Sequence, residues 1–135
     1  MDKNSNLAAG LLDLPEFEPE RRRVRLPRLG MEWVLQEVPY DRVMRCRRER
    51  DPNLFLILEA TVSPNLRDKA WYEGKMGCPT PVDALKKQLR VGELDKLVRV
   101  IDRLNGYGAG SVLELSDEEL EGQALGAALE NLEKN

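Results

Sequence analysis

The sequence contains no histidine, which removes both the side chain most often used as a general base near neutral pH and the commonest neutral metal ligand. Its two cysteines, Cys46 and Cys78, form no CxxC pair, so neither a zinc ribbon nor a redox dithiol motif is present. In a reducing cytosol they read as two unpaired thiols. Aromatic residues make up only 5% of the chain, and a small, charged, aromatic-poor sequence of this kind favours helices over a β-sandwich. No apolar run approaches the roughly 20 residues needed to span a bilayer. The opening MDKNSNLAAGLLDLPEFEPE is too acidic, and its apolar part too short, for a signal peptide, which predicts a cytosolic protein without a membrane role. The carboxylates Glu59, Asp68, Glu73 and Asp83 are scattered at expected helix ends and polar faces, where capping accounts for most of them. Neither paired carboxylates nor an activated cysteine is evident, so no catalytic, cofactor-binding or metal-binding residue is assigned and the chain is not read as an enzyme.

What the 135 residues do have is 41% hydrophobic and 33% charged composition, enough for one domain with a modest core. The net charge of −3 is unevenly spread. Residues 1–20 carry five acids and one base, residues 21–50 carry ten arginines and four acids, and residues 114–135 carry seven acids and one lysine. The simple reading is three solvated faces attracting one another within the fold. The sharper one is a basic surface for an acidic partner. The cluster RCRRER at residues 45–50 and the run of arginines at 21–23 could hold phosphates, which leaves a small nucleic-acid-binding regulator built on residues 21–50 as the alternative function. Against it, aromatics and glycines are not interleaved with the arginines, and the isoelectric point is near 5.2.

Along the chain, residues 1–13 read as a flexible acidic arm, residues 14–113 as one globular domain, and residues 114–135 as an acidic C-terminal helix or tail. Around Leu29-Gly30, Val24 and Leu26 alternate with arginines, and Met31, Trp33 and Leu35 alternate with their neighbours. That period of two predicts a β-hairpin, with Pro27 confining its first strand to an edge and Trp33 packed onto helices. A helix is expected over residues 40–50 with Tyr40, Val43 and Met44 inward. Asp51-Pro52 then opens a second helix over residues 53–62. Its LFLIL run would also suit a buried strand, but the capping pair and the continuation through Glu59-Ala60 favour a helix at the centre of the core. Ser63-Pro64 repeats the cap-and-proline device before a helix over residues 66–75, with Leu66, Ala70 and Trp71 inward.

Residues 81–107, PVDALKKQLRVGELDKLVRVIDRLNGY, organise the rest. Leu94, Leu97, Val98, Ile101 and Leu104 share one helical face. Thr80 can cap, Pro81 suits the first helical position, and Asp83 lies in the first turn. Two helices are expected, residues 81–90 and 93–105, hinged at Val91-Gly92 and closed by Asn105-Gly106. Gly106, Gly108 and Gly110 follow a helix and precede no Lys-Ser/Thr, so they read as a connector rather than a phosphate loop. Ser116 and Glu119 form a capping box for a last helix over residues 117–132. Leu7, Leu11 and Leu12 at one end, and Leu120, Ala124, Ala127 and Ala128 at the other, are not needed for the core and are the candidate partner-binding positions.

The stretch LKKQLRVGELDKLVRVIDRLNGYG at residues 85–108 resembles the C-terminal signature of the XkdN-like phage tail assembly chaperones. The shared pattern is a short leucine helix, a Gly-Glu break, a second apolar helix, then Gly-aromatic. Upstream, LFLILEATVSPNLRD at residues 54–68, VRLPRL at residues 24–29 and Tyr40-Asp41-Arg42 continue the resemblance, which covers about residues 12–107. The resemblance implies a chaperone of a phage or prophage that binds the tape-measure protein and assists tail-tube assembly. Such a protein acts in the host cytoplasm and is absent from the mature virion. Its partners would be the tape-measure and tail-tube proteins of the same phage. Arginine density at residues 45–50 and the long acidic tail depart from the family pattern. The fold these features imply is α+β: a small N-terminal β-hairpin on a compact bundle of about five short helices, with polar arms at both ends.

Overall fold

The computed structural model describes residues 8–116. Leu7 and the expected last helix, with Leu120, Ala124, Ala127 and Ala128, lie outside the described residues. The chain divides after Asn105 into two units, Met1–Asn105 and Gly106–Asn135.

The first unit is α+β. Strands β1 (Arg21–Leu26) and β2 (Met31–Gln36) form the hairpin that alternation implies, with Val24 opposite Trp33 and Leu26 opposite Met31. Residues 27–30 turn through Leu29 N–H donating to Leu26 O (3.1 Å) and Gly30 N–H to Pro27 O (3.1 Å). Gly30 takes φ +65°, where a side chain would be strained. Opposite residues share a face, so Val24, Leu26, Trp33 and Leu35 point inward while Arg21, Arg23, Arg25, Glu32 and Gln36 line the outer face. Arg21 donates to Gln36 (2.7 Å) and Arg23 pairs with Glu32 across that face.

A third strand, β3 (Thr61–Ser63), pairs antiparallel with β2 through a register irregularity at Val34/Leu35, giving the order β1-β2-β3. This corrects the expectation of helix to residue 62. Helix α3 (Pro52–Ala60) stops where β-branched Thr61 and Val62 begin and where the proline at 64 forbids further helix. Thr61 Oγ1 donates back to Ile57 O (2.6 Å) as the chain leaves. Within α3, Leu54, Leu56, Ile57, Leu58 and Ala60 are all buried, and its neighbours are α2 (Tyr40–Arg47), α4 (Pro81–Gln88), α5 (Val91–Leu104) and β3. The central position expected for this helix is therefore observed. Asp51 begins it without a side-chain cap, because its carboxylate is engaged by Lys86 at 2.8 Å.

Two inward assignments, Tyr40 and Ala70, and the bounds of two helices change. Helix α2 ends at Arg47, and its buried residue is Cys46, with Val43 and Met44 half-buried. Tyr40 is 74% exposed, because α2 leans on α3 through Val43 and Cys46 while its first turn faces solvent. No helix starts at Leu66: Asn65 accepts from Arg67 N–H (3.1 Å) and Asp68 from Ala70 N–H (2.9 Å), local turns that compete with helix. The expected helix is confined to Ala70–Lys75, a wide turn of π-helix with Met76 N–H reaching Trp71 O (2.9 Å). Leu66 and Tyr72 are buried, Trp71 is half-buried, and Ala70 is exposed.

The break between the last two helices lies at Leu89-Arg90 rather than at Val91-Gly92. Thr80 caps α4 as expected, accepting from Asp83 N–H at 3.1 Å. Helix α5 then begins at Val91, with Gly92 inside its first turn. Glu93 Oε1 accepts from Arg90 N–H (2.7 Å), supplying one orphan donor of that turn with a partner. Arg28, from the hairpin turn, forks onto the same carboxylate at 3.0 and 2.7 Å and donates to Gln88 O at 2.6 Å, the end of α4. One arginine thus ties the hairpin tip to both sides of the helix break. At the far end of α5, Asn105 Oδ1 accepts from Val38 N–H (2.8 Å), fixing where the chain leaves β2, and Gly106 takes the positive φ (+94°) that a helix end favours.

The core joins the sheet's inner face to α3, α4 and α5, with Leu35, Ile57, Leu85 and Ile101 at 0% exposure. A smaller cluster, Tyr72, Cys78 and Ala84, sits beneath the wide turn. In the second unit the described residues 106–116 turn through Ser111 N–H to Gly108 O (3.2 Å) and expose Val112 and Leu113.

Candidate partner-binding surfaces

Of the sequence-derived partner positions, the described ones are Leu11 and Leu12. They sit on the four-residue helix α1 (Ala9–Leu12) at 70% and 75% exposure, and α1 buries no residue of its own. Leu14 and Phe17 are also exposed, so this short arm presents four large apolar side chains to solvent. Isolated surface leucines are ordinary, but four exposed large apolar residues within seven positions are more than scattered exposure gives.

A second surface was not anticipated. A cleft of about 490 Å³ opens between the hairpin tip and the wide turn, walled by Leu29, Met31, Trp33, Leu66, Trp71 and Pro64 and rimmed by Asp68, Lys75 and Gln88. Trp33 is 2% exposed and its indole N–H has no acceptor among the described residues. Both tryptophans of an aromatic-poor chain therefore meet at one cleft. The sequence signal was their scarcity, but alternation and helical spacing assign both simply to the core.

The basic segment is divided among elements. Arg21, Arg23, Arg28 and Arg42 each bind an acceptor on this unit, Arg42 reaching Glu59 at 3.7 Å. Glu59 also holds Arg67 at 2.5 Å. Arg45, Arg47 and Arg48 line an open depression with Tyr40 and Met44 on α2. Charge here is thus partly consumed in intramolecular pairing, with Glu32, Glu59 and Glu93, which belong to neither acidic end of the chain.

The Glu93 carboxyl and the Cys46 thiol are shifted from their ordinary values. The hydrogen bonds from Arg28, and then from the Arg90 N–H, hold the Glu93 carboxyl down at about 2. Burial, and secondarily Glu59, push the Cys46 thiol up, so it is a poor nucleophile. Cys46 and Cys78 are free and buried. Among the described residues no group of carboxylates and thiols is placed to hold a metal, and no helix is long and apolar enough to cross a membrane.

A family profile described as phage XkdN-like tail assembly chaperone protein matches residues 49–121, more than half of the chain. Among solved structures, the crystal structure of the protein yqbn, a structural-genomics target, is similar in fold. Its TM-score is 0.56 at 19% identity, over 69% of this chain and 90% of that one. At that identity the likeness speaks to the fold alone. No curated protein matches the chain.

Proposed function

The chain belongs to the phage XkdN-like tail assembly chaperone family, and we propose that it fills that role by binding the tape-measure protein of its own phage. In this reading it keeps that long helical protein soluble and passes it to the polymerising tail-tube protein. It works in the host cytoplasm, is left out of the mature virion, and acts through binding rather than catalysis. The observation that carries the proposal is the family match, which runs through α3, α4 and α5, the helices on which the core is built.

The surface chemistry supports it. A helical partner offers apolar side chains at three- and four-residue spacing, and such stripes dock into apolar grooves or against apolar helices. Leu11 and Leu12 on α1, together with Leu7 and with Leu120, Ala124, Ala127 and Ala128 of the C-terminal segment, are proposed as contacts. The tryptophan cleft offers a preformed socket of similar character.

Co-expression tests the proposal. The tape-measure protein should remain soluble with this chain, aggregate without it, and stay bound at about 0.5 M salt, since apolar docking is little affected by screening. The nucleic-acid alternative rests on the arginines of residues 21–50, and phosphate binding through six to ten contacts loses about a thousandfold or more between 50 and 200 mM salt. A tight, sequence-selective DNA complex, with no effect on tape-measure solubility, would overturn the chaperone mechanism.

A further inference from the structure

We infer that the free edge of β1 is a docking site for an extended, acidic segment of a partner protein. The partner would add a fourth strand to the sheet and seat its apolar side chains in a trough between β1 and α5.

Three observations converge on this edge. In the order β1-β2-β3 the strand is terminal, and the backbone groups on its outer side bond to nothing among the described residues. A six-residue strand in that position is a template for another chain. Next, an apolar trough of about 260 Å³ runs beside it, floored by Val24, Leu26, Leu97 and Val100. No residue of β2 or β3 lines the trough, so it opens on the free side of β1. A strand hydrogen-bonded there lies about 4.8 Å away, and every second side chain turns toward the helix layer, over this trough. Finally, the flanking charge is positive. Arg25 and Lys96 line the trough and, like Arg22, have no ion-pair partner among the described residues, while the trough's acid, Glu93, is already held by Arg28.

Arginines on an edge strand also protect against unwanted pairing. A guard of that kind needs charge alone, whereas here an apolar trough lies beside the charge. The arginines do select among occupants. A second copy of this strand would place arginine against arginine, so self-pairing is disfavoured, while an acidic strand is attracted. The occupant the geometry fits is an extended segment in which glutamate or aspartate alternates with valine, isoleucine or leucine. The acids would lie on the outer face toward Arg25, whose neighbours Arg21 and Arg23 are already engaged by Gln36 and Glu32, and the apolar residues toward Val24 and Val100. This inference is independent of the helical tape-measure contact proposed above.

Synthetic eight-residue peptides test it by fluorescence anisotropy with the full chain. A peptide alternating glutamate and valine is expected to bind, with new exchange protection of β1 amides in NMR. The same peptide with its valine amides N-methylated, and a lysine–valine peptide, are each expected to bind at least tenfold more weakly. The surface variant Arg25→Glu/Lys96→Glu should reverse the preference between the acidic and basic peptides without changing the melting temperature by more than a few degrees. Equal binding of the N-methylated peptide would rule out strand addition. Equal binding of the lysine peptide, or no binding of the acidic peptide at millimolar concentration, would overturn the proposed occupant.

Discussion

Replacing Ile101 by alanine probes the seam between α5 and the rest of the core. Ile101 is 0% exposed and shares one apolar cluster with Leu35 of the sheet, Ile57 of α3 and Leu85 of α4. The substitution removes three carbons, worth about 2.4 kcal/mol in transfer free energy at about 0.8 kcal/mol each. If about 40 Å³ of the vacated volume stays empty, the cavity adds about 1 kcal/mol, placing the loss near 3 kcal/mol, within the roughly 2–5 kcal/mol seen for such truncations. For a domain of this size that corresponds to a fall of about 12–25 °C in melting temperature. The control is Val91→Ala in the first turn of the same helix, where the side chain is 77% exposed and the change should stay within about 0.5 kcal/mol. Urea titration followed by circular dichroism at 222 nm measures both, and an unchanged m-value confirms that only stability has moved. If Ile101→Ala melts within about 5 °C of Val91→Ala, α5 does not pack as described, and the joining of helices to sheet must be redrawn.

Three further outcomes follow. Because the folded Glu93 carboxyl titrates at about 2 against an ordinary 4.5, its contribution to stability is complete above about pH 5 and disappears as the pH falls toward 2. Glu93→Gln should therefore destabilise the protein at pH 7 and leave a flatter loss of stability in acid melts, and superimposable acid profiles would refute the Arg28 clamp. Cys46 and Cys78, both buried, should react with a thiol reagent at neutral pH only on unfolding, so rapid labelling of native Cys46 would contradict the packing of α2 on α3, and of Cys78 the small cluster around Tyr72. A chain trimmed to residues 14–113 should still unfold cooperatively, and loss of its helical signal would show that one of the removed ends belongs to the folding unit.

The parts of the fold legible in the sequence are those where one periodicity acts alone. Residues 21–36 alternate without competition and form the hairpin. Leu94, Leu97, Val98, Ile101 and Leu104 recur at helical spacing and form the inner stripe of α5. Legibility fails where local and distant partners compete for the same atoms. Asp51 and Ser63 both looked like caps before a proline. Lys86, 35 positions away, takes the Asp51 carboxylate, and the residues around Ser63 are drawn to the open edge of β2. Glycine at 92 looked like a hinge because nothing in the sequence reveals that Glu93 will be held from both sides, by Arg90 N–H and by Arg28. Once that carboxylate is fixed, the helix has a defined start at Val91, and a glycine in its first turn costs about 1 kcal/mol at most.

The binding surfaces are harder to read for a related reason. Composition exposes leftover apolar residues, and Leu11 and Leu12 are proposed as contacts on that ground because α1 lies outside the periodic core. A cleft has no period. Leu29, Trp33 and Leu66 each occupy a position that core packing explains, and only the approach of the wide turn to the hairpin tip leaves a gap between them. The same holds for the trough beside β1: Val24 and Val100 are half-buried, which is what an unfinished core contact looks like in a free chain. A protein whose family assists the assembly of others is expected to keep such unfinished contacts, because an apolar surface completed within its own core has nothing left to offer a client.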